Sequence, residues 1–325
     1  MLHRRAALAA AATLVAAPSL RAQDRFPSRT VRVVVPFAPG GPTDVFARRF
    51  VDRFQRALGQ TVVIENKAGA GGMLGAQDVA RSRPDGYSLI FHASSSALTS
   101  PLVYRRPLYD PVKDFEQISL LGVVPFVLGV GPQTGARTTA ELVAKLRERP
   151  GALSYGSSGV GTSNHLAGAL FLARAGELRA EHVPYRGSGP AIQDLVAGTT
   201  AFQVDTFGTL YELHRDRRIR IVAVMHPTRS AVDRDIPTLA EQGIAGAEAS
   251  TFNILAAPAG TPPEVMAVLS DATRRVMGDA GFQRELLGIG IEPEADTSPR
   301  RALTFLAGEV EKWRAVVQAA GVSIE

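Results

Sequence analysis

The sequence predicts an α/β protein built from two units. Strand-like apolar runs alternate with helix-like periodic runs, and this order is typical of parallel sheets covered by helices on both faces. The alternation occurs twice, on either side of the stretch 109–132. The chain has 325 residues, of which 45% are hydrophobic and 21% charged, so it is long enough for two hydrophobic cores.

The first unit opens with the apolar run "VRVVVPF". A helix follows in which a large apolar residue recurs every fourth position before a glycine ends it: Phe46, Phe50, Phe54, Leu58 and Gly59. The segments predicted in this unit are strands at 31–37, 61–66 and 87–94, and a second helix near 73–82. This is one mononucleotide-fold-sized unit.

The second unit repeats the same rhythm. Its predicted helices lie at 139–149, 162–175 and 189–197, and its predicted strands at 152–158, 181–186, 200–206 and 219–225. A later strand at 251–258 and helices near 262–277 and 299–319 fit best in the first unit. The sequence therefore predicts a discontinuous first domain, 24–122 plus 227–325, and a second domain, 123–226, joined by two crossing connections suited to hinge closure.

The N-terminus has the pattern of a secretory signal. Residues 1–23 contain a basic start, an apolar run from Ala6 to Ala17 and a cleavage site after Ala22. The Arg4-Arg5 pair leaves export by the twin-arginine route open beside the general route. We expect an exported protein without a lipid anchor or disulfides, because the chain has no cysteine.

Charge and hydropathy exclude two classes of partner. Removal of the signal lowers the formal charge from +5 to +2, and the densest basic run, 214–220, has no interleaved aromatic residues. This run is typical of a solvated helix end rather than a nucleic-acid surface. After the signal, no apolar stretch is long enough to span a bilayer.

Two glycine-rich stretches, one per unit, connect a predicted strand to a predicted helix. In "PFAPGGPTD" the glycines allow close approach of the backbone, Pro42 suits a first helical turn, and Thr43 or Asp44 can cap the helix. In "SYGSSGVGTSNH" the chain reaches a helix near Thr162. Either stretch alone could be only a tight connection. Together, at the carboxyl ends of strands, they favour an anion held between the two units, most simply a carboxylate.

Other chemistries lack their motifs. There is no Gly-Lys-Ser/Thr loop for phosphates, and "GAGGML" breaks the dinucleotide spacing. The stretch 156–160 lacks the last glycine of a hydrolase nucleophile motif, and the six histidines show no metal-ligand spacing. We therefore expect no catalytic residue, no metal and no cofactor. His165 is interpreted as a packing or capping residue, and "SSSALTSP" is typical of a solvated loop that could offer hydroxyl groups to a ligand.

Six motifs in a fixed order resemble a known family. They are "RTVRVVVPFAPGGPTDVFAR", "ENKAGAGGMLGAQDVARSRPDGYSL", "YDPVKDFEQIS", "LSYGSSGVGTSNHLAGALF", "HVPYRGSGPAIQDLVAG" and "DIPTLAEQG". The sequence is similar to the Bug receptors of tripartite tricarboxylate transporters over nearly all of its mature length. The resemblance implies a two-domain, type II periplasmic binding protein that closes like a Venus flytrap and delivers a small organic acid to a membrane permease.

The resemblance also implies where the ligand is held. Main-chain amides of the two strand-to-helix loops would bind its carboxylate, with one amide missing at Pro42. The implied ligand-binding residues are Ala38, Pro39, Gly40, Gly41, Thr43, Asp44, Ser94, Ser95, Ser157, Ser158, Gly159, Gly161, Thr162, Arg186, Gly187 and Asp205. Arg186 could equally be a surface residue, and Asp205 a hinge or cap.

Three functions remain open at this point. The leading hypothesis is a monomeric periplasmic receptor that captures a carboxylate for a permease and performs no chemistry. A receptor that signals to a membrane kinase would have the same sequence features. An exported enzyme on the same scaffold is disfavoured, because no nucleophile, base or metal set converges.

Overall fold

The computed structural model describes residues 26 to 320 and residue 323. The predicted signal peptide, residues 1–23, lies outside the described residues. Within them, no helix combines the length and the apolar character needed to cross a membrane.

The described chain contains ten strands and ten α-helices. The strands are β1 (Val31–Val35), β2 (Val62–Asn66), β3 (Ser88–Ala93), β4 (Phe115–Val130), β5 (Ser154–Ser157), β6 (Glu181–Pro184), β7 (Phe202–Thr206), β8 (Arg220–Val224), β9 (Ser250–Pro258) and β10 (Glu292–Pro293). The helices are α1 (Pro42–Leu58), α2 (Met73–Ala80), α3 (Ser100–Val103), α4 (Thr139–Glu148), α5 (Ser163–Arg174), α6 (Ser188–Ala197), α7 (Phe207–Arg215), α8 (Pro263–Met277), α9 (Ala280–Gly288) and α10 (Pro299–Ala320).

The strands form one continuous path in the order β2-β1-β3-β9-β4-β7-β5-β6, with β8 and β10 also paired to β4. We call β1, β2, β3 and β9 with their helices α1 to α3 and α8 to α10 the first lobe. We call β5 to β8 with α4 to α7 the second lobe. Strand β4 belongs to both, because its early part pairs with β9 and its late part with β7 and β8.

The prediction of parallel sheets is correct only for the outer strands. β1, β2 and β3 are parallel, and so are β5, β6 and β7. In the middle, β9 runs antiparallel to β3 and β4, and β4 runs antiparallel to β7 and β8. Apolar patterning reports burial rather than strand direction, so the strands that connect the lobes could not be oriented from the sequence.

The two connections between the lobes meet at a single place. Met225 donates its main-chain N–H to Phe126 at 2.8 Å, Phe126 donates to Ala249 at 3.2 Å, and Ala249 donates to Met225 at 2.9 Å. Strand β4 thus changes partner next to the point where the chain returns to the first lobe. The two-domain division remains a prediction, and this junction is where its hinge would lie.

The apolar patterns define the core as predicted. Phe46, Phe50 and Phe54 of α1 are fully buried against the first lobe, and Gly59 ends the helix with φ 73°. Helix α10 buries Trp313 and packs against both β4 and α5, so it contacts both lobes. In the basic run 214–220, residues 215–218 are exposed at the end of α7, as predicted, whereas Ile219 is buried and Arg220 begins β8.

The segment after β3 differs from the sequence-based interpretation. Residues Ser95–Thr99 form a buried π-helical turn that continues into α3, rather than a solvated loop. Small hydroxyl side chains carry no apolar periodicity, yet they can be buried where neighbouring carbonyls accept their hydrogen bonds. Strands β4 and β10 and helix α9 were also not predicted.

Candidate functional site

The loops that carry the predicted site lie at the carboxyl ends of the parallel strands. In the first lobe these loops follow β1, β2 and β3, and in the second lobe they follow β5, β6 and β7. Side chains from the two sets touch. Ser95 after β3 lies 3.1 Å from Ser163 at the start of α5, and a Cβ added to Gly71 after β2 would lie 3.9 Å from Thr162. The two edges therefore face each other.

The loop after β1 is fixed by the buried carboxylate of Asp44. Its Oδ2 accepts hydrogen bonds from the Gly40 N–H at 2.9 Å and from the Arg48 Nε at 2.8 Å, and its Oδ1 accepts one from the Asn66 Nδ2 at 2.8 Å. Asn66 also donates to the carbonyl of Phe37. Asp44 thus holds the glycine turn from inside the protein.

The ionisation of Asp44 follows from these bonds. Burial acts to raise its pKa, but the hydrogen bonds from Arg48, Gly40 and Asn66 outweigh burial, so the pKa lies below its usual value. Asp44 therefore stays charged at neutral pH. Its negative charge lies in the first turn of α1, where the helix dipole favours it.

The loop after β5 is fixed by the first residues of α5. The Asn164 Oδ1 accepts hydrogen bonds from the Ser158 N–H at 3.3 Å, the Ser158 hydroxyl at 2.9 Å and the Thr162 hydroxyl at 2.8 Å. The His165 Nδ1 accepts the Gly161 N–H at 3.1 Å. His165 therefore carries its proton on Nε2 when neutral, and it is a packing residue, as predicted.

A stack of rings supports this loop, with His165 and Tyr155 buried and His182 partly buried. The ring centroids of His165 and His182 are 3.7 Å apart, and Tyr155 lies on the other side of the same group. Burial, together with the neighbouring His182, lowers the pKa of His165 to about 3, and burial lowers the pKa of His182 to about 4. Both rings are therefore neutral at physiological pH.

Ser157 and His182 form a close pair that resembles a catalytic dyad. The Ser157 Oγ lies 2.7 Å from the His182 Nε2, but Ser157 has no exposed surface. The same Oγ donates to the Gly159 carbonyl and accepts the Gly159 N–H, both at 3.1 Å. A nucleophile must reach its substrate, so this arrangement favours a structural role.

Asp205, at the end of β7, is a second buried carboxylate that fixes its surroundings by accepting hydrogen bonds, as Asp44 does. It is 2% exposed, and its Oδ1 accepts hydrogen bonds from the Thr206 N–H at 2.8 Å and the Thr209 hydroxyl at 3.0 Å. Its Oδ2 accepts from Gln203 at 2.9 Å and from Asn164 at 3.5 Å. Through Asn164 it supports the glycine loop after β5.

The internal bonds decide which main-chain N–H groups could reach a ligand. The amides of Gly40, Ser158, Gly159, Gly161 and Thr162 already have protein acceptors. By contrast, among the residues the structure describes, no protein atom accepts the N–H groups of Gly41, Thr43 and Val160. Gly41 and Thr43 lie at the start of α1, where the helix dipole favours anions, and Val160 lies in the loop three residues before α5.

The remaining predicted residues have different surroundings. The Ser94 hydroxyl lies 2.7 Å from the Thr251 hydroxyl within the first lobe, and Ser95 bonds to Ser163 across the lobes. Arg186 is exposed beside Gly187, whose φ of 116° starts the turn into α6. Ala38 and Pro39 are exposed at the tip of the first glycine loop.

Sequence reasoning missed two side-chain amides that organise the site, one buried (Asn164) and one partly buried (Asn66). Asn66 and Asn164 are not in the predicted set, although each joins a glycine loop to a neighbouring element. Asn164 follows Thr162 at a helix start, which is a weak capping signal. Nothing in the sequence pairs Asn66 with Asp44, because their contact depends on the packing of β2 against α1.

Two surface cavities lie away from the facing loops. One, of about 560 Å³, lies between the segment 107–114 and residues Val310 and Arg314 of α10. The other, of about 290 Å³, lies near Arg137 and His214 of the second lobe. Neither cavity is lined by a residue of the predicted ligand site. In the part of the chain that the structure describes, no group of side chains could hold a metal ion.

The sequence is similar to receptors of one transporter family. Residues 46–322 match the tripartite tricarboxylate transporter family receptor. Protein BugT of Bordetella pertussis is 33% identical over 303 residues, which cover 93% of this chain and 92% of BugT. A UPF0065 protein of Pseudomonas sp. strain P51 is 35% identical over 317 residues, which cover 97% of this chain and 94% of that protein.

The fold is similar to solved periplasmic binding proteins. An R. palustris protein solved with adipate has a TM-score of 0.87 and 33% identity, covering 92% of this chain and 99% of that chain. MatC from Rhodopseudomonas palustris with bound malate has a TM-score of 0.85 and 30% identity, covering 90% and 100%. The periplasmic binding protein BugD has a TM-score of 0.86 and 31% identity, covering 92% and 100%. The predicted α/β periplasmic binding protein fold is confirmed.

Proposed function

The chain belongs to the tripartite tricarboxylate transporter receptor family, and from this premise we propose that it captures a small carboxylate between its two lobes. The capture occurs in the periplasm, after removal of the N-terminal signal. The loaded receptor delivers its ligand to a tripartite tricarboxylate transporter permease, and the protein performs no chemistry on the ligand.

One observation carries the proposal. On facing lobes, the start of α1 keeps the N–H groups of Gly41 and Thr43, and the loop leading into α5 keeps that of Val160, without an acceptor among the described residues. Helix starts with free N–H groups attract anions. A carboxylate has two oxygens, so a single group can accept hydrogen bonds from both lobes at once.

The bracing side chains explain how these loops can hold a ligand firmly. Asp44 fixes the first loop, and Asn164 and His165 fix the second, all from buried positions. Donors that are already held in place lose little conformational entropy when they bind. The loops therefore keep their geometry without a buried arginine at the site.

The relatives suggest which acid to test first. Two similar structures hold adipate and malate, and both compounds are dicarboxylates. We propose a small dicarboxylate as the first candidate ligand. One carboxylate would bind the amides at the helix starts, and exposed Arg186 at the rim of the second lobe would attract the other.

The binding free energy expected from these hydrogen bonds agrees with a receptor role. A hydrogen bond to a charged group contributes about 1.5 to 3 kcal/mol, so three or four such bonds supply roughly 5 to 12 kcal/mol before ordering costs. A micromolar complex needs about 8 kcal/mol. The two proposed domains, 24–122 plus 227–325 and 123–226, must close on the ligand. Ordering them costs part of the free energy that the hydrogen bonds supply.

Thermal-shift screening of the mature protein against organic acids tests the proposal. A ligand that binds only the folded state raises the melting temperature, so at least one dicarboxylate should do so in a saturable manner. Gly159→Val is the matched negative variant, because an L side chain strains the backbone at φ 137° and would lie against the Tyr185 carbonyl, whose oxygen is 3.4 Å from the Cβ position. A flat response across mono-, di- and tricarboxylates would contradict the proposal.

A further inference from the structure

Ser95 forms hydrogen bonds across the gap between the lobes. Its Oγ accepts the main-chain N–H of Ser163 at 3.1 Å and lies 3.1 Å from the Ser163 hydroxyl. Ser95 follows β3 in the first lobe, whereas Ser163 is the first residue of α5 in the second lobe. Both side chains are buried, so water does not compete for these bonds. Separation of the lobes would break both bonds.

Ser96 fixes the turn that carries Ser95 through hydrogen bonds within the first lobe. The Ser96 Oγ donates to the Ala93 carbonyl at 3.1 Å and lies 3.0 Å from the His92 Nδ1. The Tyr109 hydroxyl donates to the Ser96 carbonyl. Three bonds therefore fix one residue of the π-helical turn, and its neighbour Ser95 is held toward the second lobe.

The buried ring of His92 also contributes a hydrogen bond to this turn. Because the Ser96 hydroxyl donates its proton to Ala93, the His92 Nδ1 must carry the proton that bonds Ser96. The His92 Nε2 is then buried without a partner among the described residues. Burial lowers the pKa of His92 to about 3, so the ring stays neutral beside Phe115. An unsatisfied buried nitrogen is costly, and the anchoring of Ser96 offsets that cost.

Gly71, in the turn after β2, lies near the same point at the start of α5. Gly71 adopts φ 65°, and a Cβ there would lie 2.2 Å from the Ser100 hydroxyl and 3.9 Å from the Thr162 Cγ2. Ser100 donates its hydroxyl to the Gly71 carbonyl at 3.0 Å. The missing side chain lets this turn pack against Ser100 in the first lobe, close to the start of α5.

We infer that Ser95 is a latch that holds the lobes closed by a direct protein contact, even without a ligand. The inference rests on the proposed two-lobe receptor and adds a conformational device to it. Ser95 was predicted to bind ligand. Instead, its hydroxyl takes the first amide of α5, which a ligand would otherwise use, and so sets the fraction of receptor that is already closed.

The latch predicts a ranked series of serine variants. Ser95→Ala removes both bonds across the gap, while Ser163→Ala removes only the hydroxyl contact and keeps the Ser163 N–H. Ser270→Ala is the matched control, because its buried hydroxyl has no partner in the described structure and it belongs to α8, which packs against α1, α9 and β4. One neutral hydrogen bond changes an equilibrium about 2- to 12-fold. Ser95→Ala should therefore lower the closed-to-open ratio by at least this factor.

Distances between spin labels measure this ratio without any ligand. The chain has no cysteine, so Val268→Cys in α8 and Ala144→Cys in α4 would place one label on an exposed position of each lobe. We expect a closed population in the unliganded parent that falls for Ser163→Ala and falls further for Ser95→Ala. Ser270→Ala should match the parent.

The outcomes separate the latch from the receptor function. An unliganded parent that is fully open, or a Ser95→Ala distribution equal to that of Ser270→Ala, would overturn the latch whatever the ligand screen shows. If no acid binds the parent but Ser95→Ala still opens the lobes, the latch stands and the carboxylate proposal fails. Circular dichroism of each variant confirms that the fold is retained.

Discussion

The hydrogen bonds that Asp44 accepts predict a large difference in stability and ligand binding between two similar substitutions in α1. Asp44 and Asp52 both lie in α1, and each pairs with an arginine four residues later, at 2.8 Å and 2.9 Å respectively. Asp44 is 2% exposed, whereas the Asp52 side chain is 58% exposed. Asp44→Asn and Asp52→Asn therefore remove the same charge from opposite environments.

The expected cost of Asp44→Asn follows from its donors. Gly40 and Arg48 donate to one carboxylate oxygen and Asn66 to the other. An amide keeps only one oxygen, so its NH₂ group must face at least one donor, which then loses its acceptor. A lost charge-assisted bond contributes about 1.5 to 3 kcal/mol. We expect a loss of about 3 kcal/mol for Asp44→Asn and about 0.3 to 0.5 kcal/mol for Asp52→Asn.

Urea unfolding at pH 7 measures both losses, and calorimetry with the acid found by screening measures binding. We expect Asp44→Asn to weaken binding at least about 10-fold, because the loop amides at Gly41 and Thr43 lose their fixed geometry. Asp52→Asn should bind like the parent. Equal stability losses in the two variants, or unchanged binding in a folded Asp44→Asn protein, would refute the role given to Asp44.

Three further predictions concern the loops. Gly159→Val should abolish binding and, because of its φ of 137°, lower the free energy of unfolding by about 1 to 3 kcal/mol. The control Gly308→Ala in α10, with open space around it, should leave stability unchanged or slightly raised. Urea unfolding measures the stability of both variants, and calorimetry measures their binding. In the folded protein the pKa values of His165 and His182 are lowered to about 3 and about 4, so the unfolded state binds protons first as the pH falls. Each ring should therefore lower the free energy of unfolding by about 2 kcal/mol between pH 7 and pH 5. Urea unfolding across this range should show a smaller pH dependence for His182→Asn, and an equal dependence would contradict the neutral stack. Pro42→Ala restores an N–H at the first position of α1 and should tighten carboxylate binding by about 2- to 12-fold in calorimetry, and no gain would count against main-chain capture there.

Much of the fold followed from apolar spacing. The four-residue recurrence from Phe46 to Leu58 located α1 and its buried face, and Gly59 marked its end. These features are local, so a single sequence reports them. The direction of β9 was not accessible, because it depends on how the chain returns from the second lobe.

The two loops proposed to hold the ligand could be located from the sequence, but their internal contacts could not. The two strand-to-helix turns are visible in the sequence as glycines followed by helix starts. Which amides remain free depends on contacts between distant residues, such as Asn66 with Asp44 and His182 with Ser157. These contacts arise from packing of strands and helices, and a serine-rich string gave no sign that Ser95 would reach Ser163.

Amide chemical shifts during a titration test the central claim most directly. The ¹⁵N–¹H resonances of Gly41 and Thr43 in the first lobe and of Val160 in the second are followed as the acid identified by screening is added. The account predicts large shifts for all three with one common dissociation constant, and smaller shifts for Gly40 and Gly161, which already bond to the protein. Shifts confined to one lobe, or two different dissociation constants, would show that no single carboxylate is shared between the helix starts.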